Sequence, residues 1–276
     1  MSIKPPHVSD LIGEVFSGLS WGATLLTWPL LSKIEQGDGH PVLVLPGLLT
    51  NDAATWPLRK FLEDRGYATY PWEQGINRGP LPEVMDELVE KIEAIYKEHK
   101  KPVSLVGWSM GGAISVALTQ KCADKIRNVI TLGSPLKHAP DATHATFFFE
   151  LVSGMDADSV SLANMLRPHP SVPLTSLFTK NDGVVGWETS ANLTHSKAEA
   201  IEIVGTSHLG IVAHPGTFYM IANRLKQDKN DWHPYHPQEL WEEKLFIPHQ
   251  PETIAKDEWW EEMNNPIRRK QRKAKS

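Results

Sequence analysis

The stretch Val103 to Leu118, VSLVGWSMGGAISVAL, limits what this chain can become more than any other. An apolar, partly β-branched run (Val103, Leu105, Val106) meets Gly107-Trp108-Ser109-Met110-Gly111-Gly112 and passes at once into small, helix-compatible residues, Ala113 to Leu118. The pattern predicts strand, sharp turn, helix. Such a turn holds Ser109 in a strained backbone conformation with its hydroxyl exposed, and the glycines two before and two after it remove β-carbons that would strike the neighbouring strand and helix. Ser109 is then a candidate nucleophile at the carboxyl end of a central parallel strand. The helix that follows presents N-terminal amides that favour developing negative charge. The pentapeptide G-x-S-x-G alone is weak, since it arises by chance in roughly one chain in ten of this length at average glycine content. Its setting between a buried-strand pattern and a helix is what gives it weight.

The flanking chain supplies that setting. Pro41 to Pro46 reads as a first buried strand running into Gly47-Leu48-Leu49-Thr50, Trp56 to Arg65 as a helix, and Tyr67 to Trp72 as a second strand. Pro82 to His99 carries Val84, Leu88, Ile92, Ile95 and Tyr96 on one face, the spacing of an amphipathic helix. Strands are expected at Ile126 to Leu132, Leu174 to Thr179 and Ala200 to Val204, with a last helix from about Pro215 to Leu225. Strands alternating with helices predict an α/β fold with a mostly parallel sheet covered on both faces, and in such sheets sites gather at the carboxyl ends of the strands.

Serine is a poor nucleophile at neutral pH and needs a base, which in turn needs an orienting acid. His208 follows one predicted strand in Gly205-Thr206-Ser207-His208-Leu209-Gly210, and Asp182 follows the strand before it in Asn181-Asp182-Gly183. Standing alone, an aspartate of this kind shapes a turn and a loop histidine bonds to backbone. Three loops at matching strand ends, in the order Ser109, Asp182, His208, point to acyl chemistry instead. His214, just before Pro215, and Asp141, Asp156 and Asp158 are the competing residues. The oxyanion of such a reaction needs two backbone N–H donors. Met110, after the nucleophile, is one candidate, and Leu48, in the loop after the first strand, is the other.

Between 137 and 173 the alternation breaks. Phe147-Phe148-Phe149, Leu151, Met155, Leu162, Met165 and Leu166 predict a mostly helical cap. Two readings stand open, a lid over the site that selects apolar chains and a small insertion packed on the body. Leu49, Trp108, Phe147 and Phe148 are the candidate substrate-binding residues.

The 276 residues, 41% of them apolar, suffice for one large core, taken as residues 37–230, with an N-terminal segment over 1–36 and a C-terminal extension over 231–276. A net charge of −5 gives no reason to expect a nucleic-acid partner, and the six basic residues from Arg268 to Lys275 read as a solvated tail. One cysteine, Cys122, permits no internal disulfide and suits a reducing, cytoplasmic setting. No metal-type cluster of Cys and His is visible, and no cofactor is expected. Residues 11–31 are apolar but carry Glu14, three glycines and Pro29, which argues against a spanning helix or signal peptide. They predict an amphipathic segment (Leu11, Val15, Leu19, Trp21, Leu25, Trp28) that packs on the domain or makes peripheral membrane contact.

The segments VLVLPGLLTND, VSLVGWSMGG, VITLGSPL, FTKNDGVVGW and IVGTSHLG resemble the α/β-hydrolase superfamily and, within it, bacterial lipase- and esterase-like proteins, from about Val42 to Leu225. The resemblance implies Ser109 as nucleophile, Asp182 as acid, His208 as base, and Leu48 with Met110 as oxyanion donors. Two positions depart from it. Many lipases have His-Gly where this chain has Pro46-Gly47, and a histidine before the nucleophile where it has Trp108. A backbone donor survives the first change, while Trp108 offers a large apolar surface beside the acyl site. The expectation is a serine carboxylic-ester hydrolase acting through an acyl-serine intermediate on a moderately apolar small-molecule or lipid ester. Acyl transfer on the same fold and a non-catalytic docking module are the rivals; oligomeric state is not legible.

Overall fold

Successive side chains of a strand point to opposite faces, so a strand apolar at every position must be covered on both. Strand β1, Pro41–Leu45, is buried along its whole length. Val42 and Val44 pack in one core with Leu58, Phe61 and Leu62, while Leu43 and Leu45 pack in another with Leu88, Ile92 and Ile95. The same division runs through β3 (Val103–Trp108), where Val106 joins the first core and Leu105 the second. The computed structural model describes residue 14 and residues 18–137, 165–169, 171–228 and 230–249.

Seven strands form one sheet in the order β2-β1-β3-β4-β5-β6-β7, with β2 Ala68–Tyr70, β4 Ile126–Leu132, β5 Leu174–Phe178, β6 Ala198–Ile203 and β7 Phe246–His249. All pairings are parallel except β6 with β7. The expected strands are all present, with ends shifted by at most two residues. The C-terminal extension adds an edge that was not expected. A short helix, Leu240–Leu245, feeds directly into β7, whose Phe246 is fully buried and stacks on Tyr219 at 5.5 Å.

The helices are α1 Gly18–Leu31, α2 Asp52–Asp64, α3 Pro82–His99, α4 Met110–Cys122, α5 Trp187–Ser190, α6 Pro215–Leu225 and α7 Leu240–Leu245. Helix α2 begins earlier than its apolar pattern suggested, because the Asn51 side chain caps it by accepting from the Ala53 amide. Helix α4 is buried at nearly every position from Met110 to Thr119, and its small residues let it lie close against the sheet.

Helix α1 departs from the amphipathic expectation. It holds no charged residue, and while Leu31 and Thr24 are buried, Leu25, Leu26 and Leu30 are 74%, 84% and 64% exposed. No helix among the described residues is long and apolar enough to cross a membrane. Most of the expected cap, with Phe147, Phe148, Asp141, Asp156 and Asp158, lies outside the described residues, as do Leu11, Val15 and the basic tail.

Candidate active site

Strand β3 ends at Trp108 and α4 starts at Met110, which leaves one residue to reverse the chain. Ser109 does so at φ 52°, ψ −119°, in the left-handed half of backbone space that costs a non-glycine residue energy. The conformation is held by the Ser109 amide donating to the Leu132 carbonyl at 2.8 Å. The flanking glycines are needed for the reason their spacing suggested. A β-carbon on Gly107 would lie 2.4 Å from the Gly111 backbone, and one on Gly111 would lie 2.4 Å from the Leu45 carbonyl oxygen. The loop after β1 therefore sits directly on the turn.

Ser109 Oγ lies 3.0 Å from His208 Nε2, and His208 Nδ1 lies 2.7 Å from Asp182 Oδ2. All three groups are buried, with Ser109 at 8% exposure. Asp182 uses its oxygens separately: Oδ1 accepts from the Val184 and Val185 amides at 2.9 and 2.7 Å and builds the turn, while Oδ2 faces the imidazole. Shaping a turn and orienting a histidine are thus joint duties of one carboxylate. Burial alone would push the His208 pKa down. The Asp182 charge, its hydrogen bond and the charge of Glu14 outweigh that and raise it above the ordinary histidine value.

Leu48 lies on the loop after β1, and Met110 follows Ser109 at the first position of α4. Among the described residues no hydrogen bond from either backbone N–H to a protein acceptor is seen. The loop carrying Leu48 is braced by Asn77, which sequence reasoning missed. Asn77 is fully buried; its Nδ2 donates to the Pro46 carbonyl at 2.7 Å and its own carbonyl accepts from the Leu49 amide at 2.8 Å. Leu49, the next residue of that loop, has a positive φ of 61° and an apolar side chain that is 49% exposed.

Trp108 is placed differently from its expected role. It is buried, its Nε1–H donates to the His208 carbonyl at 3.1 Å, and its ring packs against Gly47. It ties the His208 loop to the loop after β1 rather than offering an open surface. Gly133, at φ 53°, lies beneath the relay; a β-carbon there would be 3.0 Å from Asp182 Oδ2 and 3.2 Å from His208 Nδ1. Glu14 was also missed. Its carboxylate accepts from the amides of Gly183, His208 and Leu209. His214, the competing histidine, caps α6 by accepting from the Gly216 amide, and burial pushes its pKa down to about 4.

A second Ser-His-Asp arrangement shows what the first has in addition. At the other end of the sheet, His40 Nε2 lies 2.8 Å from Ser104 Oγ, and Asp38 pairs with His40 Nδ1. Ser104 stands inside β3 with no exposed surface, and burial pushes the His40 pKa down to about 4. Its serine and histidine are buried while Asp38 is about half exposed, and neither a strained turn nor a helix start stands beside the Ser104 hydroxyl. Among the described residues no group of three or more His, Cys, Asp or Glu side chains is placed to hold a metal ion.

Solved structures share this architecture. A structure from a study of LipS and LipT, two metagenome-derived lipolytic enzymes, superimposes with a TM-score of 0.52 at 15% identity, covering 69% of this chain and 93% of that one. The Bacillus licheniformis lipase BlEst2 gives 0.50 at 18% identity over 71% and 95%, and the Paleococcus ferrophilus monoacylglycerol lipase 0.51 at 16% over 69% and 95%. The chain has an α/β-hydrolase fold. Residues 82–177 of the chain also match the family described as PGAP1-like alpha/beta domain, a span that contains Ser109 and Gly133. No curated protein is significantly similar to it in sequence. In the α/β-hydrolase frame, the Ser109, Asp182 and His208 loops lie at the carboxyl ends of β3, β5 and β6.

Proposed function

We propose that this protein hydrolyses carboxylic esters through an acyl-serine intermediate, with Ser109 as nucleophile, His208 as general base and Asp182 as the group that orients and stabilises the imidazolium. The observation that carries the reading is the unbroken run of contacts, 3.0 Å from Ser109 Oγ to His208 Nε2 and 2.7 Å from His208 Nδ1 to Asp182 Oδ2, starting from a serine at φ 52°. Ser109 donates its proton to Nε2 as Oγ bonds to the ester carbonyl carbon. The carbonyl oxygen becomes an oxyanion that the Leu48 and Met110 amides stabilise. Collapse breaks the bond to the alcohol, which leaves with the proton from Nε2. Water then attacks the acyl-serine by the same route, releasing the acid and restoring Ser109.

The substrate is a moderately apolar ester. Leu49, exposed beside the loop after β1, supplies apolar surface at the mouth, and the similar structures are named as lipolytic enzymes or lipases. A panel of p-nitrophenyl esters from acetate to palmitate, run on wild type and Ser109→Ala, tests the reading. Turnover lost in the variant supports it; turnover unchanged refutes it.

The same reading includes peripheral contact with a lipid surface through α1. The favouring observation is that the residues α1 turns to solvent are Leu25, Leu26 and Leu30, with no charge along the helix. Helix α1 is held to the body by a hydrogen bond from Thr24 to the Ala213 carbonyl, five residues past His208, so a docked helix would bring the site to the surface. Pelleting with phosphatidylcholine and phosphatidylglycerol vesicles decides it. A Leu25→Glu/Leu26→Glu variant that pellets as wild type does would exclude it.

A further inference from the structure

Glu14 lies far from the relay in sequence, yet its carboxylate is buried against it. One oxygen, Oε1, accepts from the Gly183 amide at 3.0 Å and the His208 amide at 2.8 Å, and Oε2 accepts from the Leu209 amide at 2.8 Å. Gly183 follows Asp182 directly, and His208 and Leu209 are the base and its neighbour. A single side chain therefore joins the two loops whose separation sets the His208 to Asp182 distance. Three amides converge on one carboxylate, with the Gly183 and His208 bonds buried and the Leu209 bond partly so; the arrangement is charge-assisted, and removing it would leave buried donors unpaired. Other buried carboxylates have different surroundings: Glu199 pairs with Arg224, and Glu242 meets Tyr219, both away from the relay. Among the described residues Glu14 pairs with no cationic side chain, and its charge acts on the His208 imidazole, which becomes positive in the proposed reaction.

We infer that Glu14 is a positioning residue for the proposed reaction, a carboxylate from the N-terminal segment that locks the acid and base loops together and favours the imidazolium formed when Ser109 attacks. This rests on the proposed role of His208 as base. It also makes the N-terminal segment part of the catalytic apparatus. The charge of Glu14 acts on His208 in the same direction as that of Asp182, raising its pKa. Among the described residues the groups facing His208 are Asp182 at Nδ1, Ser109 at Nε2, the Trp108 ring at 6.1 Å between centroids and Glu14 at its own amide, and none of these is a fixed cation opposing the effect.

The test is the pH dependence of kcat/KM for a p-nitrophenyl ester and of fluorophosphonate labelling, in wild type, Glu14→Gln and Glu14→Asp. Glutamine keeps the shape and removes the charge. Its acid limb should move to lower pH by about half a unit or more, because the imidazolium loses a stabilising neighbour. Its plateau kcat/KM should fall by about tenfold or more, with the loss mainly in kcat. Glu14→Asp, shorter but charged, should keep the wild-type limb while losing plateau rate. A Glu14→Gln profile that overlays wild type overturns the inference and leaves Ser109 chemistry standing, whereas a wild type that neither turns over nor labels removes the reading beneath it. Should the glutamine variant fail to fold, amide hydrogen exchange on wild type decides. His208 and Leu209 amides protected well beyond the neighbouring loop residues support the clamp, and exchange at open-loop rates overturns it.

Discussion

The indole N–H of Trp108 donates to the carbonyl oxygen of His208 across 3.1 Å, so the residue before the candidate nucleophile also holds the loop of the candidate base. Both partners are buried, and the bond spans two strands of the sheet, β3 and the end of β6. Trp108→Phe keeps most of the ring and removes the donor. It should lower kcat by about tenfold, the rate equivalent of one lost hydrogen bond, with KM nearly unchanged. Steady-state kinetics with a p-nitrophenyl ester, beside a thermal melt, measures it.

Gly133→Ala should be more damaging. The new methyl would meet the carboxylate of Asp182 and the imidazole of His208, and φ 53° is unfavourable for alanine by about 1–2 kcal/mol. We expect kcat/KM to fall at least about a hundredfold through displacement of the relay. Fluorophosphonate labelling should slow in parallel while circular dichroism still reports a folded chain.

Asn77→Asp tests the brace on the loop after β1. The substitution keeps an acceptor for the Gly79 amide but sets oxygen against the Pro46 carbonyl where a donor stood. Stability should fall by about 1–3 kcal/mol in urea unfolding. kcat should fall as well, because Leu48 sits on the loop that Asn77 holds.

Acid should destabilise the fold. His40, His195 and His214 have pKa values pushed down to about 4, burial being the first cause in each. Between that value and about 6.5 the unfolded chain binds more protons than the native one, so stability is present above about 6.5 and is lost as pH falls towards 4. His208 has the opposite sign. Its raised pKa stabilises the fold most below about 6.5, and that contribution fades as pH rises through the native value, offsetting part of the acid loss. The unfolding free energy read from urea melts should drop between pH 7.5 and pH 5, by on the order of 3 kcal/mol after allowing for solvent screening.

The legible and the hidden parts of this molecule differ in a physical way. Ser109, Asp182 and His208 each sit in a turn directly after a buried strand, so local patterns announce all three. The boundaries of α3, Pro82–His99, were equally plain from one apolar face and its charged opposite. Glu14, Asn77 and Gly133 act through contacts with backbone or side chains remote in the chain, and nothing in their own neighbourhoods announces it. Trp108 was noticed for its ring, whereas its indole N–H makes the informative contact. Strand β7 escaped notice because FIPH is four residues long and contains a proline, which only an edge strand tolerates.

The central claim is that the Ser109 hydroxyl is the nucleophile, activated by His208. Peptide mapping by mass spectrometry after treatment with a fluorophosphonate tests it most directly. One stoichiometric adduct is expected on the peptide bearing Ser109, absent from Ser109→Ala and slowed at least about a thousandfold in His208→Ala. An unlabelled Ser109, or labelling that proceeds at the wild-type rate without His208, would contradict it.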